Sequence, residues 1–194
     1  MNKFTKEFWT KRYQENETGW DVGTISNPLK EYIDQLTDTN IRILIPGAGN
    51  AHEAEYLFKK GFSNITVIDI SELPLINLQK RLSDFPKENL ILCDFFEHQS
   101  HYDLIIEQTF FCALDPSFRK QYVTKMLELL KPKGKLVGVF FTDPVDTENP
   151  PFGATIEEYT KLFNSGFEFK TFAACVNSIQ PRMGREIFIN FIKK

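Results

Sequence analysis

Residues 41–60 read IRILIPGAGNAHEAEYLFKK, and this stretch joins a strand pattern to a helix pattern through a turn with two glycines. Residues 41–45 are short, apolar and rich in isoleucine, which is typical of a strand buried on both faces. Residues 51–60 have helical character, and Gly61 stands where helices commonly end. A strand, a tight turn and a helix in succession predict the first unit of a parallel α/β sheet.

The alternation continues on the C-terminal side of this stretch. Further strands are predicted at residues 64–70, 90–93, 102–109 and 135–141, and helices at residues 72–83 and 116–130. Pro132 is expected to stop the last of these helices, and Gly134 to supply a left-handed residue before the next strand. After a helix at 156–163, two strand-like runs at 167–176 and 185–192 have no helix between them, which predicts an antiparallel pair. We therefore expect an α/β, Rossmann-like, mostly parallel seven-stranded sheet with an antiparallel C-terminal strand and helices on both faces.

The first forty residues precede this alternation. They carry aromatic residues at helical spacing, namely Phe4, Phe8, Trp9 and Tyr13. Residues 1–24 are expected to form an aromatic lid, and a helix within residues 25–40 is expected to lead into the sheet. The length of 194 residues is that of one domain, so residues 1–194 are expected to form a single unit.

Composition restricts the class of function. Acidic residues outnumber basic ones 26 to 23, which disfavours nucleic acid as a partner. No apolar run approaches the ~20 residues that cross a bilayer, and the N-terminus lacks a signal-peptide pattern. Three widely spaced cysteines favour a reducing compartment, so a cytoplasmic location is expected. We also expect the chain to be a monomer and to have no contact with a membrane. His98 and His101 have metal-like spacing but no second cysteine nearby, so no metal site is expected.

The glycine turn has two interpretations. Gly47 permits a sharp turn, and Gly49 permits close approach of a ligand to the backbone. Asn50 and Glu53 have the spacing of a capping box, which predicts a well-defined helix start with exposed N–H groups. An ordinary strand–helix turn would use the same residues, so the turn alone does not decide the function.

An acidic residue at the end of the second strand favours a nucleoside cofactor. Asp69 follows Gly49 by 20 residues, where a carboxylate accepts hydrogen bonds from ribose hydroxyls or caps the next helix. A nicotinamide dinucleotide site requires a third glycine where this chain has His52. S-adenosylmethionine needs only the first part of the turn, with Asp94 at the adenine amino group and Phe95 beside the ring. A methyltransferase, an NAD(P)-dependent Rossmann-type reductase and a non-catalytic nucleoside-binding module are the three alternatives.

Longer strings carry a resemblance. LLKPKG at residues 129–134 is similar to the turn before the fifth strand of class I methyltransferases. Further strings are WTKRY at 9–13, TGWD at 18–21, PGAG at 46–49, DIS at 69–71, FFCAL at 110–114, PPFG at 150–153 and PRMGRE at 181–186. Together they resemble the thiopurine methyltransferase family, in particular its halide/thiol methyltransferase members, over nearly the whole chain.

The resemblance implies an S-adenosylmethionine-dependent methyltransferase that releases S-adenosylhomocysteine. The implied cofactor-binding residues are Trp9, Tyr13, Trp20, Gly47, Gly49, Asp69, Asp94, Phe95 and Gln108. The residues expected at the reacting atoms are Trp20, Phe111 and Arg119, with Phe110 and Phe152 as further aromatic walls and Arg182 as an alternative anion-attracting group. This chain departs from the family at Gln108, where plant members have an aromatic residue and animal thiopurine enzymes an arginine, and at Tyr13, which replaces a tryptophan.

The expected acceptor is a small soft nucleophile that attacks the sulfonium methyl group in line. Thiols, hydrosulfide, halides and selenium or tellurium species fit this description, and the sequence does not distinguish among them. Such acceptors are anions or ionise readily, so they need no general base. Glu107 is the carboxylate nearest the end of the fourth strand. Cys112 is expected to be a small buried residue rather than a nucleophile.

Overall fold

The computed structural model describes residues 3–142 and 148–194. The α-helices in these ranges are α1 (Lys6–Gln14), α2 (Asn27–Asp34), α3 (His52–Lys59), α4 (Glu72–Arg81), α5 (Arg119–Leu129) and α6 (Ile156–Phe163). The strands are β1 (Ile43–Pro46), β2 (Ile65–Asp69), β3 (Leu90–Leu92), β4 (Tyr102–Gln108), β5 (Leu130–Phe141), β6 (Phe167–Ala174) and β7 (Glu186–Lys193).

The strands form one sheet in the order β3-β2-β1-β4-β5-β7-β6. β1 pairs in parallel with β2 and with β4, so that Ile43 lies opposite Ile65 on one side and Leu104 on the other. β7 is antiparallel to both of its neighbours, β5 and β6. The predicted mostly parallel, seven-stranded Rossmann-like fold is therefore confirmed. Because the strand order reverses between β1 and β4, a crevice opens at the carboxyl ends of these strands, where such sheets bind ligands.

Helices cover both faces of the sheet and explain the apolar character of its central strands. All four residues of β1 are buried. Ile43 and Ile45 face the apolar layer that includes residues of α2 and α3, whereas Leu44 faces the layer that includes residues of α5 and α6. Each such side chain contributes roughly 1.5–3 kcal/mol through burial, and this burial fixes the register of the strand.

The start of α3 differs from the predicted capping box. Its N-cap is Ala51, in the left-handed region at φ 50°, and no side chain caps the helix. The Asn50 amide instead donates to the Asp21 carboxylate, and Glu53 lines a cavity. The capping prediction is wrong because both side chains face parts of the chain that are distant in sequence.

The turn before β5 also differs from the prediction. β5 begins at Leu130 rather than at Lys135, and the left-handed residue is Lys133, at φ 62°. Gly134 is needed for a different reason. A Cβ at this position would lie 2.9 Å from the carbonyl oxygen of Lys131 and 3.1 Å from that of Tyr102. The glycine therefore permits a close approach between β4 and β5.

The segment before β1 contains the two predicted helices. α1 carries Phe8, Trp9 and Tyr13 of the expected lid, and α2 has Pro28 in its first turn. Leu29 and Ile33 of α2 are fully buried against the sheet. Residues 1 and 2 of the expected lid lie outside the described ranges. Within the described ranges, the helices are too short or too polar to span a membrane.

Candidate active site

A cavity of about 580 Å³ opens at the carboxyl ends of β1, β2 and β4. This volume lies within the ~300–1,000 Å³ typical of small-molecule sites. Of the sequence-predicted residues, those that line it are Trp9, Tyr13, Trp20, Gly47, Gly49, Asp69, Asp94, Phe95, Gln108, Phe110 and Arg182. The fold therefore brings the expected cofactor residues from five separate stretches of sequence to one place.

The glycine turn is closed over by aromatic side chains. Gly47 has φ 67°, and a Cβ there would lie 2.3 Å from a ring carbon of Phe110. Gly49 has φ 55°, and its Cβ position lies 3.6 Å from Nε1 of Trp20. Both glycines adopt a backbone conformation that L side chains rarely adopt. Gly47 in addition leaves room for the Phe110 ring at the edge of the cavity.

Asp69 lines the cavity, as the ribose interpretation requires, but it is not the N-cap of α4, which is Ser71. Its carboxylate accepts hydrogen bonds from the Ala48 N–H at 2.8 Å and the Ser71 N–H at 2.7 Å, so it ties the glycine turn to the start of α4. It also lines the cavity, although only 8% of the residue is exposed. Burial raises the pKa of Asp69 to about 6 in spite of these hydrogen bonds. The carboxylate is therefore ionised, rigidly oriented and adjacent to the cavity at neutral pH.

Three aromatic residues of the N-terminal segment form one wall of the cavity. The Trp20 ring packs edge to face against Trp9, at 5.7 Å between centroids, and against Tyr13, at 5.5 Å. Burial raises the pKa of the Tyr13 hydroxyl, and the nearby Asp69 carboxylate raises it further. The aromatic positions read from the sequence thus meet through a helix, α1, and the turn that follows it.

The N-terminal segment is attached to the rest of the site by polar contacts on both sides. The Asp21 carboxylate accepts from the Gly23 N–H at 2.8 Å and the Asn50 amide, and lies 2.8 Å from Nε2 of His52. Burial opposes ionisation of Asp21, but these hydrogen bonds together lower its pKa. On the opposite side, the Arg182 guanidinium donates to the Trp20 carbonyl oxygen at 2.7 Å.

A second group of residues lies after β3. The Asp94 carboxylate accepts from the Phe96 N–H at 2.8 Å, which shapes the turn. The Phe95 ring packs edge to face on Phe110, with centroids 5.1 Å apart. Asp94, Phe95 and Phe96 all line the cavity. Their arrangement provides a carboxylate and an aromatic face at the β3 side of the site.

Gln108, at the end of β4, has one half of its amide engaged and the other half without a partner. Its Oε1 accepts from the Ser26 hydroxyl at 2.6 Å. Its Nε2 is buried, and none of the described residues accepts a hydrogen bond from it. A buried donor without an acceptor costs about 1–3 kcal/mol, so this atom is suited to an acceptor on a bound molecule.

Three predicted residues do not reach the cavity. Phe111 is buried in the core and stacks on Phe140, with centroids 4.9 Å apart. Arg119 donates to the Gly153 carbonyl oxygen at 2.8 Å and holds the loop before α6. Phe152 is also buried, and none of the three is among the cavity-lining residues. The prediction that Phe111 and Arg119 lie at the reacting atoms is therefore wrong, because side-chain direction in these loops follows tertiary packing.

Glu107 lies beneath the site rather than in it. Only 1% of the residue is exposed, and Oε2 accepts from the Phe111 N–H at 2.6 Å. Burial raises its pKa to about 8, so the group holds a proton at neutral pH. Cys112 is buried as expected, and its thiol donates to the Thr109 carbonyl oxygen at 3.3 Å. Glu107 does not line the cavity, whereas Cys112 lines it with its thiol already bonded to the Thr109 carbonyl oxygen.

The sequence reading missed Glu53 and Ser26 as cavity residues and left Arg182 undecided. Glu53 was assigned to helix capping, and Ser26 precedes α2 with no motif of its own. Arg182 is nearly buried, and its guanidinium lies 5.7 Å from the centre of the Phe141 ring. The signal that could have identified Glu53 is a glutamate in the first turn of a helix that follows a glycine turn.

Known proteins are similar to this chain over most of its length. Residues 4–189 match the family model described as Thiopurine S-methyltransferase (TPMT). The chain is 30% identical over 194 residues to "Probable thiol methyltransferase 2" of Arabidopsis thaliana, covering 96% of this chain and 84% of that protein. It is 27% identical over 184 residues to "Thiocyanate methyltransferase 1" of the same plant, covering 92% and 81%.

Among solved structures, a Burkholderia thailandensis 1,6-didemethyltoxoflavin-N1-methyltransferase with bound S-adenosylhomocysteine superimposes with a TM-score of 0.74. The two sequences are 16% identical, and the match covers 97% of this chain and 87% of the other. At 16% sequence identity, this similarity supports a shared fold and nothing more specific.

Proposed function

The chain belongs to the thiopurine S-methyltransferase family and is an S-adenosylmethionine-dependent methyltransferase, and from this premise we propose that it methylates a small soft nucleophile in the cavity at the ends of β1, β2 and β4. Membership of this family decides against the nicotinamide-dependent reductase. The names of its relatives, a thiol and a thiocyanate methyltransferase, support a sulfur acceptor.

The observation that carries the proposal is the convergence of the expected cofactor residues on one cavity. We assign Asp69 to the ribose hydroxyls and Asp94 with Phe95 to the adenine. Gln108 is assigned to the methionine part, because its buried Nε2 has no acceptor among the described residues. Gly47 and Gly49 leave the backbone at the turn accessible. These residues offer acceptors, a donor and aromatic faces, which are the groups that the cofactor requires.

Bound S-adenosylmethionine supplies an electrophilic methyl group on a positively charged sulfur. The aromatic wall of Trp9, Tyr13 and Trp20 presents ring faces and edges to the cavity and excludes water from it. Aromatic faces stabilise a cation by about 0.5–2 kcal/mol each. Alignment of two reactants in such an enclosure lowers the barrier by several kcal/mol more. We therefore infer that the chain works by orientation and exclusion of water rather than by proton transfer.

The acceptor end is assigned to the part of the cavity between α1, the turn after β4 and the loop before β7. Phe4, Leu114 and Phe118 line it, and Arg182 and Arg185 add guanidinium groups, of which that of Arg182 is also paired with the Glu186 carboxylate at 3.5 Å. An apolar pocket bordered by guanidinium groups favours a small polarisable anion over a neutral alcohol. Arg182 takes the anion-attracting role first considered for Arg119, and Phe110 takes the place of Phe111 as an aromatic wall.

Glu107 does not serve as a general base in this proposal, because its carboxyl group is buried outside the cavity and bonded to the Phe111 N–H. A thiolate or hydrosulfide needs no such base. A free thiol with a pKa near ~8.5 is a few per cent ionised at neutral pH.

We further propose that residues 1–194 act as one cytoplasmic, monomeric unit with residues 1–24 as its lid, acting on a small molecule and not on nucleic acid. The net charge of −3 and the three cysteines, none of them in a disulfide in the described structure, support this. Light scattering of the purified chain tests the oligomeric state.

An acceptor panel tests the function. The purified chain, supplied with methyl-labelled cofactor, is offered an aliphatic thiol, an aromatic thiol, hydrosulfide, thiocyanate, iodide, an alcohol and an amine. Transfer to at least one sulfur or halide acceptor, and none to the alcohol or amine, is expected. Binding of S-adenosylhomocysteine without transfer to any acceptor would favour the non-catalytic nucleoside-binding module instead.

A further inference from the structure

The N-terminal segment borders the cavity at two places. Near the C-terminal end of α1, Tyr13 lies close to the Asp69 carboxylate and the Gly49 N–H, so this end of the helix faces residues assigned to the cofactor. Phe4 precedes the N-cap, Thr5, and lines the same cavity. Because the nine residues of α1 span roughly 13 Å, Phe4 faces a different part of the cavity from Tyr13.

Phe4 lies at the acceptor end of the cavity, beside the turn after β4. Hydrogen bonds from Ser117 lower the pKa of Asp115 in this turn, and the nearby Lys3 lowers it further. Since Lys3 directly precedes Phe4, the start of the N-terminal segment lies against the turn after β4. The Phe4 ring also packs edge to face against Phe152, in the loop before α6, with centroids 5.5 Å apart. Phe4 therefore forms a wall of the region assigned to the acceptor.

The Phe4 side chain is buried and held by packing. Phe4 and Trp9 occupy the N′ and N4 positions of a hydrophobic staple, with ring centroids 6.4 Å apart. Phe152 is fixed in turn, because its N–H donates to the Cys112 carbonyl oxygen at 2.7 Å and because Arg119 holds the same loop. In a close-packed interior, such a ring does not move aside without displacing its neighbours. The wall that Phe4 forms is therefore rigid toward a bulky acceptor.

We propose that Phe4 sets the upper size limit of the acceptor, so that the cavity admits hydrosulfide and small aliphatic thiols and excludes thiols that carry an aromatic ring. This inference rests on the proposed function, since it requires that methyl transfer take place in this cavity. It gives the N-terminal segment a second task. The Tyr13 end of α1 borders the cofactor, and the Phe4 end selects the acceptor by size.

The test compares ethanethiol with phenylmethanethiol, which both carry sulfur on a methylene carbon and differ by a ring. For the parent chain and its variants, kcat/KM is measured for each thiol at saturating cofactor, and the ratio of the two values is followed. The parent should prefer ethanethiol. Phe4→Ala should move the ratio toward phenylmethanethiol by roughly tenfold or more, because the removed ring leaves an apolar space that a phenyl group fills. Phe4→Trp enlarges the wall, so it should slow ethanethiol more than hydrosulfide.

Phe8→Ala is the matched control. The Phe8 ring belongs to the same aromatic cluster, with its centroid 5.2 Å from that of Phe4, but Phe8 is not among the residues that line the cavity. This variant should leave the ratio between the two thiols unchanged, whatever its effect on both rates. A parent chain without preference for ethanethiol, equal losses for both thiols in Phe4→Ala, or the same shift in Phe8→Ala would overturn the inference while leaving the proposed function intact. No methyl transfer from the parent chain to any sulfur acceptor would overturn both.

Discussion

At the scale of single residues, the site depends on carboxyl groups that occupy different depths. Asp69 stands at the wall of the cavity and bonds to two backbone N–H groups, Glu53 lines it without an external partner, and Glu107 lies below it. Burial raises the pKa of each. Whether a carboxyl group can contact a bound molecule or contacts only the protein thus depends on whether it faces the cavity.

Replacing Asp69 should weaken cofactor binding. In Asp69→Ala, the ribose loses an acceptor and the Ala48 and Ser71 N–H groups lose theirs, so the affinity for S-adenosylhomocysteine should fall by about 1–3 kcal/mol, or roughly 5- to 150-fold. Calorimetry measures this change. Asp84→Ala, which removes an exposed carboxylate from the loop after α4, is the control. An unchanged affinity in Asp69→Ala would refute the ribose assignment.

Glu107 should make the protein less stable as the pH rises. Its folded pKa of about 8 exceeds its ordinary value of 4.5, so between these limits the folded chain holds a proton that the unfolded chain has released. The free energy of unfolding should therefore fall with rising pH, by up to about 1.4 kcal/mol per pH unit from this group. Denaturant unfolding of the parent chain and of Glu107→Gln between pH 5 and pH 9 measures the slope.

The glutamine keeps the shape of the side chain and an acceptor for the Phe111 N–H, so the variant should show a shallower slope and the greater stability at the alkaline end. The same slope in both proteins would show that this carboxyl group does not titrate there. Transferase activity provides a second readout. Because Glu107 is not assigned as a base, the pH dependence of turnover should keep its shape in the variant.

At the scale of elements, α1 and the turn after it form one wall of the cavity. Contacts from loops outside the sheet hold this wall in place. Asp21 is bonded to the β1–α3 turn, Arg182 holds the Trp20 carbonyl oxygen, and Thr10 donates to Ser71 at 3.0 Å. α2 differs, because Leu29 and Ile33 are part of the apolar core. The boundary between wall and core therefore lies between α1 and α2.

Deleting residues 1–24 should separate folding from binding. The truncated chain keeps α2 and the whole sheet, so it should unfold cooperatively, as circular dichroism would show, but it should no longer retain S-adenosylhomocysteine. Asp21→Ala should weaken binding to a smaller extent, since it removes one attachment of the wall and leaves the aromatic side chains in place. Normal binding and turnover by the truncated chain would disprove the lid.

At the scale of the whole molecule, the parallel sheet creates one crevice and the loops decide its chemistry. The crevice follows from the strand reversal between β1 and β4. Aromatic residues of the N-terminal segment and of the turns after β3 and β4 make it apolar, and Arg182 reaches it from the segment before β7. A pocket of this composition favours acceptors that arrive already ionised.

The rate of methyl transfer should therefore follow the ionisation of the acceptor. In a series of thiols of increasing pKa, the inflection of the pH–rate profile should move with the thiol, and any thiol or hydrosulfide that is turned over should react faster than an alcohol or amine of similar size. Initial rates with saturating cofactor measure this. An inflection that stays at one pH across the series would reveal a titrating enzyme base, contrary to the proposal.

The sequence by itself determined the architecture and identified residues that line the cavity around the glycine turn. Residues 41–60 already contain a buried strand, a turn with two glycines of positive φ and a helix, and the later alternation of strands and helices predicts a mostly parallel sheet. Asp69 was found because the end of a parallel strand always faces the ligand edge of the sheet. These features are local or follow from backbone geometry, so a sequence pattern is sufficient to predict them.

Only the tertiary structure decided which of two adjacent or similar side chains faces the cavity. Thr109 has φ 60°, which breaks the alternation after β4, so Phe110 lies over Gly47 and Phe111 enters the core. Arg182 rather than Arg119 reaches the site, and Glu53 turns to the cavity instead of capping α3. Side-chain direction outside regular elements depends on contacts between segments distant in sequence, and a sequence pattern does not contain those contacts.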